Sequence, residues 1–148
     1  MSYQERRSLV NLISDIVITV VYSVYRFQSY PETSAYSPEI FRFWGSFFLL
    51  LIVVSIVAKI VIYIIFSIIN TIATDEHEPS ITDERDRLIG LKATRNSFYT
   101  FVIGFLLALG SVAIDMPPST MFIILFCSGF LSSVVSDLSE FYFYRRGV

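Results

Sequence analysis

Four long apolar stretches alternate with shorter polar segments along this chain of 148 residues. An α-helix advances about 1.5 Å per residue, so about 20 apolar residues span the roughly 30 Å of hydrocarbon in a bilayer. The pattern therefore predicts an all-α, polytopic membrane protein with four transmembrane helices. We predict these helices at residues 8–27, 41–73, 96–114 and 120–141, within one domain that comprises residues 1–148.

Residues 41–73 form the longest apolar stretch. A helix of this length would measure about 50 Å, which exceeds the hydrocarbon thickness, so it must tilt, kink or project into water. A projecting apolar end needs cover, either from a second copy of the chain or from the segment that follows. We expect the protein to be a homodimer.

Two of the polar segments have the composition of loops. Residues 28–40 and residues 115–119 each contain two prolines beside polar side chains. Proline and small polar residues favour turns and end helices. We predict that both segments lie on the outer side of the membrane.

The third polar segment, residues 74–95, is the only long hydrophilic stretch. Pro79 should end the second helix, and Ser80 with Asp83 fits a capping box that starts a new one. No proline lies between Asp83 and the third predicted span. We therefore predict a cytoplasmic helix that continues without a break into the membrane.

Lysine and arginine side chains indicate the orientation, because excess positive charge stays on the cytoplasmic side. With the N-terminus inside, the inner segments carry eight of these residues and the outer segments carry two. We predict that both termini are cytoplasmic. A signal peptide is the rival interpretation of residues 8–27, since Arg6 and Arg7 precede them, but no small-residue cleavage pattern follows.

Composition narrows the possible functions. Hydrophobic residues make up 54% of the chain and the mean hydropathy is +0.63, which is too apolar for a soluble domain of this size. A net charge of −2 provides no basic surface, so we do not expect nucleic acid as a partner. The single cysteine, Cys127, cannot form a disulfide within the chain.

The chain offers few residues for catalysis or cofactor binding. One histidine and one cysteine leave no evident nucleophile with a base partner and no paired metal-ligand motif. We predict no enzymatic activity, no cofactor and no metal site. The run Asp75, Glu76, His77 and Glu78 contains suitable cation ligands, but four adjacent residues seldom face one ion, so a solvated acidic linker is the favoured interpretation.

Three charged residues are candidates for function inside the predicted spans: Asp15, Lys59 and Asp137. A charge at this depth is costly unless it is paired or hydrated. Both aspartates lie eight residues from an arginine at the cytoplasmic boundary, about 12 Å along their helices. The long Lys59 side chain can reach that depth. We predict a Lys59–Asp15 pair, with Asp137 as a second or competing partner.

This charge cluster has two interpretations. In the first, the charges neutralise one another inside a compact bundle and fix the register of its helices. In the second, they form a proton or ion relay on the cytoplasmic half, because carboxyl groups beside a buried lysine can exchange protons near neutral pH. Small and hydroxyl residues spaced by four also give each span a seam for close helix contact, for example Asn96, Thr100, Gly104 and Ala108 in the third.

Residues 82–104 carry a pattern of charged and apolar positions whose key residues are Asp83, Glu84, Arg85, Asp86, Ile89, Lys92, Ala93 and Arg95. This segment, about 23 of the 148 residues, resembles one in a family of small, uncharacterised prokaryotic four-helix membrane proteins. There, a DER-D/E-x-x-I-x-x-KA-x-R pattern precedes the third span. The resemblance implies a cytoplasmic helix and a prokaryotic inner-membrane setting. The family has no assigned activity, but its members look as though they often accompany small regulators.

Two functions follow as hypotheses. The first is a non-enzymatic inner-membrane scaffold or regulatory partner that contacts a cytoplasmic protein through residues 82–95. The alternative is a small proton- or ion-coupled transporter or channel subunit that uses the charges inside the spans. The charged residues of the predicted contact helix are Asp83, Glu84, Arg85, Asp86, Arg87, Lys92 and Arg95.

Overall fold

The structure, a computed structural model, describes residues 3–74 and 84–146. This part of the chain is all-helical, with α1 at Tyr3–Phe27, α2 at Pro38–Thr74, α3 at Glu84–Ala113 and α4 at Pro118–Arg146. Each helix is long and apolar enough to cross a membrane. The prediction of an all-α chain with four candidate spans is confirmed.

The helices extend beyond the predicted spans because polar residues continue them past the apolar stretches. Residues 38–40, predicted as loop, belong to α2, which starts at Pro38. Proline suits the first helical position, where its missing N–H has no partner to lose. The predicted continuity of the third helix is confirmed, since α3 runs unbroken from Glu84 to Ala113. Its predicted start, from Pro79 to Asp83, lies outside the described residues.

A tight turn joins α3 to α4 at the predicted position. Asp115 adopts a positive φ of 59°, the left-handed conformation that commonly ends helices. Its N–H donates to the Val112 carbonyl at 3.1 Å, and the Met116 N–H donates to the Ser111 carbonyl at 3.0 Å. These two bonds satisfy carbonyl groups that the end of a helix leaves without intrahelical donors.

Neighbouring helices pack antiparallel in the spatial order α2, α1, α4, α3. Tyr3 near the start of α1 meets Phe66 near the end of α2, and Tyr22 near the end of α1 meets Phe47 near the start of α2. We call the end that contains the start of α1 the inner end, and the opposite end the outer end. The starts of α1 and α3 and the ends of α2 and α4 lie at the inner end.

An aromatic core fastens the outer halves of α1, α2 and α4. Its buried members are Tyr22, Ile40, Phe43, Trp44 and Phe47. Trp44 stacks on Phe122 of α4 with ring centroids 5.6 Å apart, and the Tyr22 hydroxyl donates to the Phe47 carbonyl at 2.7 Å. The ring contacts between α2 and α4 lie at this outer end, whereas Tyr3 and Phe66 join α1 to α2 at the inner end as well.

A seam of small and hydroxyl residues joins α3 to α4, as the spacing by four indicated. Gly104 lies so close to α4 that a Cβ there would overlap the Ser128 side chain. Ser97 and Ser132 hydroxyls lie 2.8 Å apart, and the Asn96 amide donates to the Ser139 hydroxyl at 3.1 Å. Such close approach is typical of helix contacts in membranes.

Candidate functional site

An ion pair occupies the middle of the bundle. Asp15 is the central residue of α1, twelve residues from Tyr3 and twelve from Phe27. Lys59 of α2 places its Nζ 2.6 Å from Asp15 Oδ1. The Asp15 side chain is 9% exposed whereas the Lys59 side chain is 44% exposed. The structure thus brings together the two residues that the sequence predicted as a pair.

A third helix contributes to this pair through Ser133. The Ser133 hydroxyl of α4 donates a hydrogen bond to Asp15 Oδ2. Asp15 therefore joins α1 to both of its neighbours, with an ammonium donor on one side and a hydroxyl donor on the other. Sequence reasoning predicted a seam of small and hydroxyl residues in each span but did not link Ser133 to Asp15.

Asp137 lies beside the ion pair without joining it. Its side chain is buried on α4, and Oδ2 has no hydrogen-bond partner among the described residues. It is close enough to Asp15, Lys59 and Glu140 to interact with them electrostatically. The sequence predicted Asp15 as the partner of Lys59 and Asp137 as a second or competing partner. In the structure Lys59 pairs with Asp15, and Asp137 is a neighbour of the pair.

Glu140 is a charged member of this site that sequence reasoning missed. It accepts a hydrogen bond from Ser8 and interacts electrostatically with Arg7. Arg7 in turn lies over the Tyr63 ring of α2, 5.1 Å from its centroid. The available signal was spacing, because Glu140 falls within the predicted span 120–141 three residues after Asp137, on the same helix face.

Polar side chains thus form a continuous row along α4 from the middle of the bundle to its inner end. We call Ser133, Asp137, Glu140 and Tyr144 the polar row; their spacings of four, three and four residues place them on one face. The row is about 16 Å long. At its inner end Tyr144 hydrogen-bonds Asp86 of α3.

A groove opens beside the ion pair, between α2 and α4, with α1 as its floor. Its volume is about 700 Å³. Asp15, Thr19, Ser55, Lys59 and Ser133 line its inner end. Phenylalanine and aliphatic side chains line the remainder, and they include Phe48, Leu51, Phe101, Phe122, Leu125, Phe126 and Phe130.

The first turns of α3 carry the predicted cytoplasmic contact residues. We call residues 84–95 the extension. Ile89 and Ala93 are buried. Asp86 bonds Tyr144, and the Lys92 ammonium lies 5.5 Å from the centroid of the Phe143 ring. Two of the predicted contact residues, Asp86 and Lys92, therefore face α4.

The opposite face of the extension is exposed. Leu88 and Leu91 are 56% and 60% exposed, and Arg85, Arg87 and Arg95 are exposed around them. Glu84 is exposed as well. Sequence reasoning selected the arginines by charge and did not include the two leucines among the contact residues. Asp83 lies outside the described residues.

The acidic run considered as a cation site, Asp75 to Glu78, also lies outside the described residues. Within residues 3–74 and 84–146, no three His, Cys, Asp or Glu side chains group closely enough to hold a metal ion. Cys127 is exposed on α4.

Comparisons with protein-family models, curated proteins and solved structures find no match to this chain. The resemblance of residues 82–104 to the four-helix family therefore stays a prediction.

Proposed function

We propose that this chain is a non-enzymatic inner-membrane protein that acts as a scaffold or regulatory partner through its extension. The observation that carries this proposal is that residues 84–95 form a helix with one face packed on α4 and the opposite face exposed. One face is fixed to α4 by Ile89, Ala93 and the Asp86–Tyr144 bond. The other presents exposed leucines among arginines. A helix that is held rigid needs little further ordering when it binds a partner.

The closed ion pair supports this proposal over transport. Lys59 and Asp15 neutralise each other at 2.6 Å, and Ser133 holds the second carboxylate oxygen. This is the arrangement expected of charges that fix helix register.

The proposed setting is a prokaryotic inner membrane with both termini in the cytoplasm. The antiparallel packing supports it, because the basic residues at the starts of α1 and α3 and at the end of α4 gather at the inner end. These are Arg6, Arg7, Arg85, Arg87, Lys92, Arg95, Arg145 and Arg146. Positive charge favours the cytoplasmic side. A homodimer remains part of the proposal, since α2 exposes most of its apolar surface.

Site-specific photocrosslinking in cells tests the extension. A photoreactive amino acid at Leu88 or Leu91 should form a discrete adduct with a cytoplasmic protein, and Arg85→Glu with Arg87→Glu should abolish it. The same photoreactive residue at Tyr36, which is 68% exposed in the outer loop, is the matched control and should not give that adduct. Adducts with lipid alone at Leu88 and Leu91 would refute the contact role.

A second candidate is a proton- or ion-coupled transporter or channel subunit. The polar row favours it specifically, because Asp137 lies buried between the ion pair and Glu140, with an unbonded oxygen among the described residues. Buried carboxyl groups that line a path can carry protons. The test is a pH-driven flux assay in liposomes, in which Asp137→Asn should stop the flux without loss of folded protein. Equal flux in the wild type and in empty liposomes would eliminate this candidate.

A further inference from the structure

The groove between α2 and α4 has two chemically different parts, and this contrast limits what it can bind. Its inner end carries the Lys59–Asp15 pair, and its walls are aromatic and aliphatic. From Phe48 to Lys59 on α2 and from Phe122 to Ser133 on α4, the lining covers about 16 Å. A volume of about 700 Å³ lies within the range of ordinary small-molecule sites.

The depth of the polar end excludes headgroups at the membrane surface. Asp15 is the midpoint of α1, about 18 Å from either end of that helix. If α1 spans the bilayer as proposed, with Arg7 at the cytoplasmic boundary, phospholipid headgroups lie about 12 Å or more from Asp15 along the helix. A ligand that reaches Lys59 must therefore carry its polar group into the hydrocarbon.

Lys59 still has hydrogen-bonding capacity to offer. An ammonium group has three donors. Among the described residues its contact is Asp15 Oδ1, while 44% of the side chain stays exposed beside the groove. Donors without acceptors are costly in an apolar medium, so an oxygen acceptor placed in the groove would be stabilised.

The charges around Lys59 favour a neutral acceptor over an anion. Asp15 already balances the ammonium, and Asp137 lies close enough to both to interact electrostatically. A carboxylate or phosphate in the groove would meet two carboxyl groups. A second copy of the chain fits poorly as well, because a two-fold axis along the membrane normal would bring Lys59 towards its own counterpart.

The groove walls favour a planar ring. Five phenylalanines line it: Phe48, Phe101, Phe122, Phe126 and Phe130. Aromatic rings attract one another in stacked or edge-on arrangements. We propose that the groove binds a membrane quinone, a planar carbonyl-bearing ring on an apolar chain, with one carbonyl oxygen accepting a hydrogen bond from the Lys59 ammonium and the ring between phenylalanines. This binding site is separate from the extension.

A tryptophan placed beside the ion pair provides a reporter for this binding. The single tryptophan, Trp44, contacts Phe48 and Phe122 at the outer end of the groove, about 16 Å or more from the ion pair. Phe130 lines the groove three residues before Ser133, which bonds Asp15. Quinones quench tryptophan fluorescence at short range. A short-chain ubiquinone titrated into purified full-length Phe130→Trp protein in nanodiscs should therefore give saturable quenching that the wild type, with Trp44 alone, lacks. Further variants carry this substitution as well.

Two glycines provide a matched pair of variants. A side chain at Gly129, which lines the groove, would meet open space, and so would one at Gly110 of α3, outside the groove. Gly129→Leu should fill the groove and abolish the saturable quenching, whereas Gly110→Leu should retain it. The paired change Lys59→Met with Asp15→Asn removes the donor without leaving a lone charge. It should weaken binding by about tenfold or more, as expected for loss of a hydrogen bond to a charged group.

Other outcomes would overturn the proposal. Quenching that rises linearly with ubiquinone and is equal in Gly129→Leu and Gly110→Leu would mean partition into lipid alone. A brominated fatty acid that quenches the Phe130→Trp variant saturably while ubiquinone does not would show that the ligand is an anionic chain and not a neutral ring. If Gly129→Leu, but not Gly110→Leu, converted a dimer to a monomer and left the quenching by quinone unchanged, the groove would be an interface between two copies of the chain. The crosslinking experiment at Leu88 tests only the extension. A negative result there would not bear on quinone binding in the groove.

Discussion

At the scale of single residues, removal of one partner of the Asp15–Lys59 pair should lower the stability of the folded protein. Asp15→Asn leaves the ammonium without its partner, and Lys59→Met leaves the carboxylate without its cation. Either single change should destabilise the folded protein by about 2.5–3.5 kcal/mol, the cost of a lone charge at the centre of a span. The double variant should recover most of this loss, because replacing a buried pair by neutral groups is often close to neutral.

The measurement for this double-mutant cycle is reversible unfolding in mixed micelles. Asp137→Asn is its control, since Asp137 lies beside the pair without bonding Lys59 and should change stability less than either single variant. Additive losses in the double variant would show that the two charges are not coupled.

A second prediction at this scale concerns the Tyr22 hydroxyl. It donates to the Phe47 carbonyl at 2.7 Å inside the aromatic core, so Tyr22→Phe should cost about 0.5–1.5 kcal/mol of stability. Tyr25 lies on the same helix and is 72% exposed. Tyr25→Phe is therefore the matched control and should be neutral in the same unfolding assay. Equal effects of the two variants would contradict the assigned role of the hydrogen bond.

The sequence predicted part of the charge site and omitted the remainder for a physical reason. Counting residues from the predicted cytoplasmic boundary placed Asp15 and Lys59 at compatible depths, because depth follows directly from helix rise. The partnership of Ser133 and the contacts of Glu140 depend on how α4 is rotated about its axis. Several rows of polar residues wind around that helix, so sequence spacing alone does not select the row that faces α1.

At the scale of elements, the contact between α3 and α4 depends on one missing side chain. A Cβ at Gly104 would overlap Ser128, whereas a Cβ at Gly110 on the same helix meets open space. Gly104→Ala should force the helices apart and cost about 1–3 kcal/mol, as overpacking does. Gly110→Ala should be neutral or slightly stabilising, because alanine favours helix. Thermal unfolding in detergent distinguishes the two, and a midpoint unchanged by Gly104→Ala would contradict the close contact.

The elements themselves were largely predictable, and their ends were less so. Apolar length located four helices, and the absence of proline after Asp83 predicted the unbroken start of α3. The length of an apolar stretch reflects the thickness of the hydrocarbon that it is expected to cross. It does not indicate the residue at which the helical hydrogen bonds end. Thus α1 begins at Tyr3 and α4 continues to Arg146, beyond the apolar residues used to predict them.

At the scale of the whole molecule, the spatial order of the helices could not be predicted from the sequence. Every span has apolar faces and small residues, so periodicity permits several neighbours for each. The structure places α1 between α2 and α4 because the aromatic core around Trp44 and the bonds to Asp15 both join these three helices. The groove follows from this order, since α2 contacts α1 near both ends and at the ion pair, whereas the aromatic core joins α2 to α4 at the outer end.

The antiparallel order also gives a prediction for the orientation of the whole chain. Eight of the eleven Lys and Arg residues gather at the inner end, so that end should face the cytoplasm and the loop after α1 should face outward. In a Cys127→Ala background, Tyr36→Cys should react with a membrane-impermeant maleimide in intact cells. Gln4→Cys at the start of α1 should react only after permeabilisation. The reverse pattern would invert the proposed topology and would place the extension, with its exposed leucines and arginines, on the side where a cytoplasmic partner has no access.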